Sequence, residues 1–127
     1  MITNIKILLV EDDINALNTL KMMLQEIGIT NVFETKNGDE ASQFIDFDAV
    51  KIDLIISDWN MPKKTGIDLL KDIRNQMPDI PFIMTTGRAD VNSVLDAADL
   101  GVTGYLRKPF SINELEDKIK AALTKRR

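Results

Sequence analysis

The chain has 127 residues, with 16 Lys and Arg against 20 Asp and Glu, a net charge of −4, and neither cysteine nor histidine. That length fits one domain whose core needs no disulfide or metal to fold, and the acidic balance argues against a nucleic-acid surface. Without thiols or imidazoles, thiolate metal sites, cysteine nucleophiles and Ser-His-Asp triads are excluded, which leaves carboxylate, hydroxyl, amide and amine chemistry.

The opening Met1-Ile2-Thr3-Asn4-Ile5-Lys6 lacks the order of a secretory signal, and the apolar runs are far too short to span a membrane. A cytoplasmic location is expected. Strands are predicted at Ile5–Val10, Val32–Lys36, Asp53–Asp58, Ile80–Thr86 and Gly104–Arg107. The runs Ile7-Leu8-Leu9-Val10 and Leu54-Ile55-Ile56 are apolar without alternation, as in central strands of a parallel sheet covered on both faces. The second and fifth are more mixed and suit its margins. Between them the spacing predicts five helices. The first carries Leu17, Leu20, Leu24 and Ile27 and stops at Gly28. The second covers about Asp39–Phe47 after the turn pair Asn37-Gly38. The third shows Ile67, Leu70 and Ile73 before Pro78, and the fourth spans Val91–Leu100 with Asp90 as N-cap and Gly101 as stop. The last opens on a Ser111-x-x-Glu114 capping box flanked by Phe110 and Leu115 at the hydrophobic-staple positions. Five βα units make a three-layer α/β domain, whose ligand site belongs outside the carboxyl ends of the strands.

Those ends carry the chemistry. The first strand runs into Glu11-Asp12-Asp13, the third ends on Asp58, the fourth on Thr85-Thr86 and the fifth on Arg107-Lys108-Pro109. Taken singly, Asp12-Asp13 reads as a helix cap, Asp58 as a turn residue, Thr86 as a strand residue and Lys108 as a solvated cation. Together they demand more. Two like charges about 4 Å apart repel by about 4 kcal/mol at an effective dielectric of about 20. Clustered carboxylates therefore call for a cation, and Mg²⁺, which takes one or two carboxylates and keeps room for a phosphate, suits them. Lys108 adds a point charge for phosphoryl oxygens. The acids at the first loop, and the absence of a phosphate-cradling glycine motif, exclude direct nucleotide binding.

The combination resembles the receiver domains of two-component response regulators, and among them the chemotaxis members. The resemblance runs through Glu11-Asp12-Asp13, Asp58-Trp59-Asn60-Met61-Pro62, Gly66, Thr86, Tyr105 and Lys108-Pro109-Phe110, and covers essentially the whole chain. It implies a flavodoxin-like doubly wound fold, a five-stranded parallel sheet of order 2-1-3-4-5. It also implies that Asp58 is the phosphoacceptor, that Asp13 and Asp58 bind Mg²⁺ directly with the Asn60 carbonyl, and that Asp12 acts through water and Lys108. Thr86 and the N–H groups of Trp59 and Gly87 would hold the phosphoryl oxygens, and a cis Lys108-Pro109 peptide in a tight turn would aim the lysine. Thr86 and Tyr105 would be the switch pair, coupled to the surface of the fourth helix, fifth strand and fifth helix.

Two departures stand out. Gly87 follows Thr86 where many family members have alanine, and Arg88 comes next where some chemotaxis members have an acid. Asn60 and Arg88 would flank the path of the hydrolytic water and set the aspartyl-phosphate lifetime. The expected partners are a histidine kinase or phosphotransfer protein, a downstream protein such as a flagellar motor switch component, and a phosphatase, with no nucleic acid, no membrane and a monomeric state. Residues 1–127 would form a single receiver domain without an output domain. A phosphorelay intermediate is the alternative within the family. A metal-dependent phosphatase would commonly carry Asp-x-Asp, which Asp58-Trp59-Asn60 lacks. A degenerate receiver serving only as a binding module is the third reading, and the intact acids, threonine and lysine argue against it.

Overall fold

The computed structural model describes residues 4–47, 51–61, 64–87 and 101–124. The elements run β1 (Ile7–Val10), α1 (Ile14–Ile27), β2 (Val32–Thr35), α2 (Gly38–Phe47), β3 (Leu54–Asp58), α3 (Gly66–Gln76), β4 (Phe82–Thr86), β5 (Gly104–Arg107) and α4 (Ile112–Thr124). The helix expected at Val91–Leu100, its cap Asp90, and Pro62 and Arg88 lie outside the described residues.

All strand pairs are parallel and the order is β2-β1-β3-β4-β5, as the resemblance implied. Strand alternation divides the interior into two cores. Ile7 and Leu9, with Leu54, Ile56, Ile83 and Leu106, face Leu17, Leu20 and Leu24 of α1 and Leu115 and Ile119 of α4. Leu8 and Val10, with Ile55, Phe82 and Met84, face Ala41 of α2 and Leu69, Leu70 and Ile73 of α3. The unbroken apolar runs of β1 and β3 thus supply both faces at once.

Local chemistry fixes the boundaries. β1 begins two residues later than expected because the Lys6 N–H donates to the Asp53 carboxylate at 2.9 Å. α1 ends where Gly28 turns left-handed at φ 103°, its N–H bonding the Leu24 and Gln25 carbonyls while the Ile29 N–H also reaches Leu24. α2 starts at Gly38, one residue before the expected start, because Asn37 Oδ1 caps the Glu40 N–H at 2.9 Å. The capping box before α4 is formed. Ser111 Oγ accepts from the Glu114 N–H and Glu114 Oε1 from the Ser111 N–H, both at 3.1 Å.

Candidate functional site

The parallel register aligns the carboxyl ends of the central strands: Val10 lies beside Ser57, Asp58 beside Thr85, and Thr86 beside Arg107. The next residue of β1, Glu11, continues the alternation of Ile7 and Leu9 and is 5 % exposed. Asp58 closes β3 at 9 % exposure. Lys108, after β5, reaches across four strands' ends and donates to Glu11 Oε1 at 2.8 Å and to Asp58 Oδ1 at 3.1 Å. Asp12 completes the group, and carboxylate oxygens of Glu11, Asp12 and Asp58 lie within 4.8 Å of one another.

Asp13 is placed differently from the expectation. It is the N-cap of α1, with extended backbone (φ −85°, ψ 117°), and its Oδ1 accepts from the Asn15 N–H at 3.1 Å. The pair brought to Asp58 is therefore Glu11 and Asp12, one position earlier in the chain than Asp12 and Asp13. The cause is geometric. The chain leaves β1 at Val10 and enters α1 at Ile14, so the last of the three acids stands where a helix needs a side-chain acceptor. Even so, the Asp13 N–H donates to Glu11 Oε2 at 3.2 Å, which ties the cap to the site.

Electrostatics follow from this crowding. Burial pushes the Asp58 carboxyl up from its usual range, against the pull of the Lys108 ammonium and the Trp59 N–H. Burial raises Glu11 as well, and the neighbouring Asp58 charge adds to it, against the hydrogen bond from Lys108. For Lys108, burial works against the charge, but bonding to Glu11 and the Asp58 charge outweigh it and its pKa is raised. Three carboxyl groups crowd around a single ammonium, which leaves the cluster short of positive charge. An all-oxygen donor set with that deficit fits one hard divalent cation such as Mg²⁺.

The remaining expected residues lie on β4, β5 and the segments that follow β3, β4 and β5. Thr86 is buried on the face of Phe82 and Met84, and its carbonyl accepts from the Lys108 N–H at 2.7 Å. The Trp59 N–H, expected as a donor to phosphoryl oxygen, bonds the Thr85 carbonyl at 2.9 Å. Tyr105 is half-buried and meets Trp59 edge to face, with ring centroids 6.3 Å apart. Asn60 and Gly87 are exposed, Met61 is buried, and the Lys108–Pro109 peptide is cis. Gly66 opens α3 so close beneath Asp58 that a Cβ would stand 2.5 Å from the Asp58 carbonyl oxygen and 2.7 Å from Met84 Sδ. Sequence reasoning missed the part taken by Glu11, though its parity with Ile7 and Leu9 was there to be read.

This fold, with acids, hydroxyl and ammonium at the carboxyl ends of its strands, is that of a receiver-type signalling module. Residues 7–120 match the response regulator receiver domain family, and the chain belongs to it. It is similar to the chemotaxis protein CheY of Pseudomonas aeruginosa, 36 % identical over 116 residues that cover 90 % of this chain and 92 % of the relative. It is also similar to chemotaxis protein CheY1 of Helicobacter pylori, 35 % identical over 120 residues, 93 % of this chain and 96 % of that one. Among solved structures, Vibrio cholerae CheY4 superposes with a TM-score of 0.85 at 30 % identity, covering 94 % of this chain and 98 % of the other. A response regulator receiver domain from Clostridium thermocellum gives 0.86 at 30 % identity over 94 % of both chains.

Proposed function

We propose that Asp58 accepts a phosphoryl group from a histidine kinase or phosphotransfer protein, and that the change switches the binding of a protein partner. The observation that carries this reading is the Lys108 ammonium shared between Asp58 and Glu11 beside Asp12. An Asp58 oxygen forms the new bond to phosphorus, and the bond from phosphorus to the donor imidazole nitrogen breaks, its electron pair leaving with that nitrogen. Carboxylates of Glu11, Asp12 and Asp58 and the Asn60 carbonyl would hold Mg²⁺. When bound, the ion neutralises charge on the transferring group. Lys108 gives up part of its hold on Asp58 to a phosphoryl oxygen, and Thr86 supplies a hydroxyl donor.

The expected output is a population shift in which Thr86 and Tyr105 rearrange together. The likeness to chemotaxis proteins supports a role in chemotaxis with a flagellar motor switch component as target. Asp58→Asn is expected to abolish acid-labile labelling by a small phosphodonor with Mg²⁺, and retained labelling would remove the assignment. A pull-down with and without beryllofluoride and Mg²⁺ identifies the partner. A motor component retained only in the loaded state supports the chemotaxis reading, and a phosphotransfer protein in its place points to a relay.

A further inference from the structure

Lys64 lies between the acceptor strand and α3, and its ammonium joins three elements. It pairs with Asp72 of α3 and donates to Ser42 Oγ of α2 at 3.1 Å, while Ser42 Oγ lies 3.5 Å from Asp72 Oδ2. The Lys64 side chain is 23 % exposed. Its aliphatic stem crosses the first residue of α2, Gly38, where a Cβ would come within 2.7 to 2.9 Å of three Lys64 side-chain carbons. A glycine, a small hydroxyl and an acid, from two different helices, thus accommodate one lysine. Holding a lysine in this way costs rotamer entropy and hydration, and a partly exposed pair returns little stability.

What the arrangement does fix is the path of the chain. Two residues after Lys64, the Gly66 N–H donates to the Trp59 carbonyl at 2.9 Å, and the Gly66 backbone lies against Asp58. Lys64 and Gly66 therefore anchor the returning arm of a connection whose outgoing arm is Asp58-Trp59-Asn60-Met61. We propose that Lys64, held by Asp72 and Ser42, is a positioning residue that sets where Trp59–Met61 lies and so tunes cation affinity at the phosphoacceptor site. This inference rests on the metal-binding reading above.

Position and simple electrostatics predict opposite signs. Removing a nearby cation with Lys64→Met keeps the stem but should tighten Mg²⁺ binding if only charge matters, whereas Asp72→Asn should weaken it. A positioning role predicts that both weaken it, each by about fivefold, and that the double variant is no worse than either alone. Ser42→Ala, which changes no charge, should move the same way by less. Lys71→Met, at an exposed position of α3, should leave the affinity unchanged.

Mg²⁺ affinity is read by titrating Trp59 fluorescence. An independent readout is hydrogen exchange in metal-free protein, where the Asn60 and Met61 amides of Lys64→Met and Asp72→Asn should exchange faster than the parent's while β1 and β3 amides do not. Opposite shifts for Lys64→Met and Asp72→Asn, or parental affinities and exchange rates in both, overturn the proposal while leaving the metal reading intact. A parent protein that does not bind Mg²⁺ removes the metal reading and this inference with it. Should Lys64→Met fail to fold, Asp72→Asn and Ser42→Ala carry the same test, since both moving together with faster Asn60 exchange is the expected result.

Discussion

Three consecutive acids follow β1, and their different surroundings give them different work. Glu11 is buried and bonded to Lys108, Asp12 joins the carboxylate cluster, and Asp13 caps α1. Asp12→Asn is therefore expected to weaken Mg²⁺ binding at least tenfold while raising the metal-free melting temperature, because it relieves repulsion in the cluster. Asp13→Ala should leave Mg²⁺ affinity within about twofold of the parent and cost about 1 kcal/mol of stability through the lost cap. Titration of Trp59 fluorescence and urea unfolding of both variants check the pair, and equal metal defects would restore Asp13 to the site. At Gly87 a Cβ would meet nothing within 4 Å among the described residues, and its backbone is not in the positive-φ region. Gly87→Ala should then stabilise the fold by about 0.5 kcal/mol by restricting the unfolded chain, as read by urea denaturation.

Among elements, α3 is the one that lies against Asp58. Thr65 caps it, Gly66 admits its first turn beneath Asp58, and Leu69, Leu70 and Ile73 bury its inner face. Gly66→Ala places a methyl against a carbonyl oxygen and a methionine sulfur, so it must shift either the helix or the end of β3. A loss of about 2 kcal/mol or more in urea unfolding is expected, in the range of overpacked cores, together with weaker Mg²⁺ binding. By contrast, Ser111→Ala at the start of α4 removes a cap remote from α3 and should cost about 1 kcal/mol with unaltered Mg²⁺ binding. Arg74 makes a different kind of link. From the end of α3 it donates to the Gly101 carbonyl at 2.8 and 3.0 Å, joining α3 to the segment that leads into β5.

For the whole molecule, the buried acids make stability depend on pH in a defined direction. Asp58 and Glu11 have folded-state pKa values above their ordinary 3.8 and 4.5, so the folded protein binds their protons more tightly than the unfolded chain does. Their contribution to metal-free stability is greatest at low pH and declines as pH rises from about 4 through the raised values. Lys108 acts at the other end. Its raised pKa contributes stability that is full below 10.5 and is lost as pH rises through the folded-state value. In EDTA, the stability of Asp58→Asn relative to the parent should increase from pH 4 to pH 7. With Mg²⁺ the parent should gain stability with cation concentration, more at pH 7 than at pH 5, because the ion competes with protons for the same oxygens. Melting curves across pH with EDTA or Mg²⁺ check both, and a pH-independent difference would show that the acids do not share one strained site.

Much of this was legible in one dimension because it is written in local periodicity. The double-sided apolar runs of β1 and β3, the Gly28 stop of α1 and the Ser111-x-x-Glu114 box each reflect forces acting within a few residues. Motif resemblance added the strand order and the convergence of Asp58 with Lys108. Which two of three adjacent acids meet Asp58 was not settled that way, because it turns on the residue at which a strand gives way to a helix. The grip of Lys64 on Ser42 and Asp72 was equally hidden, since its partners are 22 and 8 residues away and meet only when α2 packs on α3. The amino-acid sequence by itself determined the layers, the strands and the chemical inventory of the site, all products of short-range pattern. Only tertiary structure decided which acids gather beside Asp58 and which side chains meet Lys64, because side-chain direction and long-range packing exist only once the chain is folded.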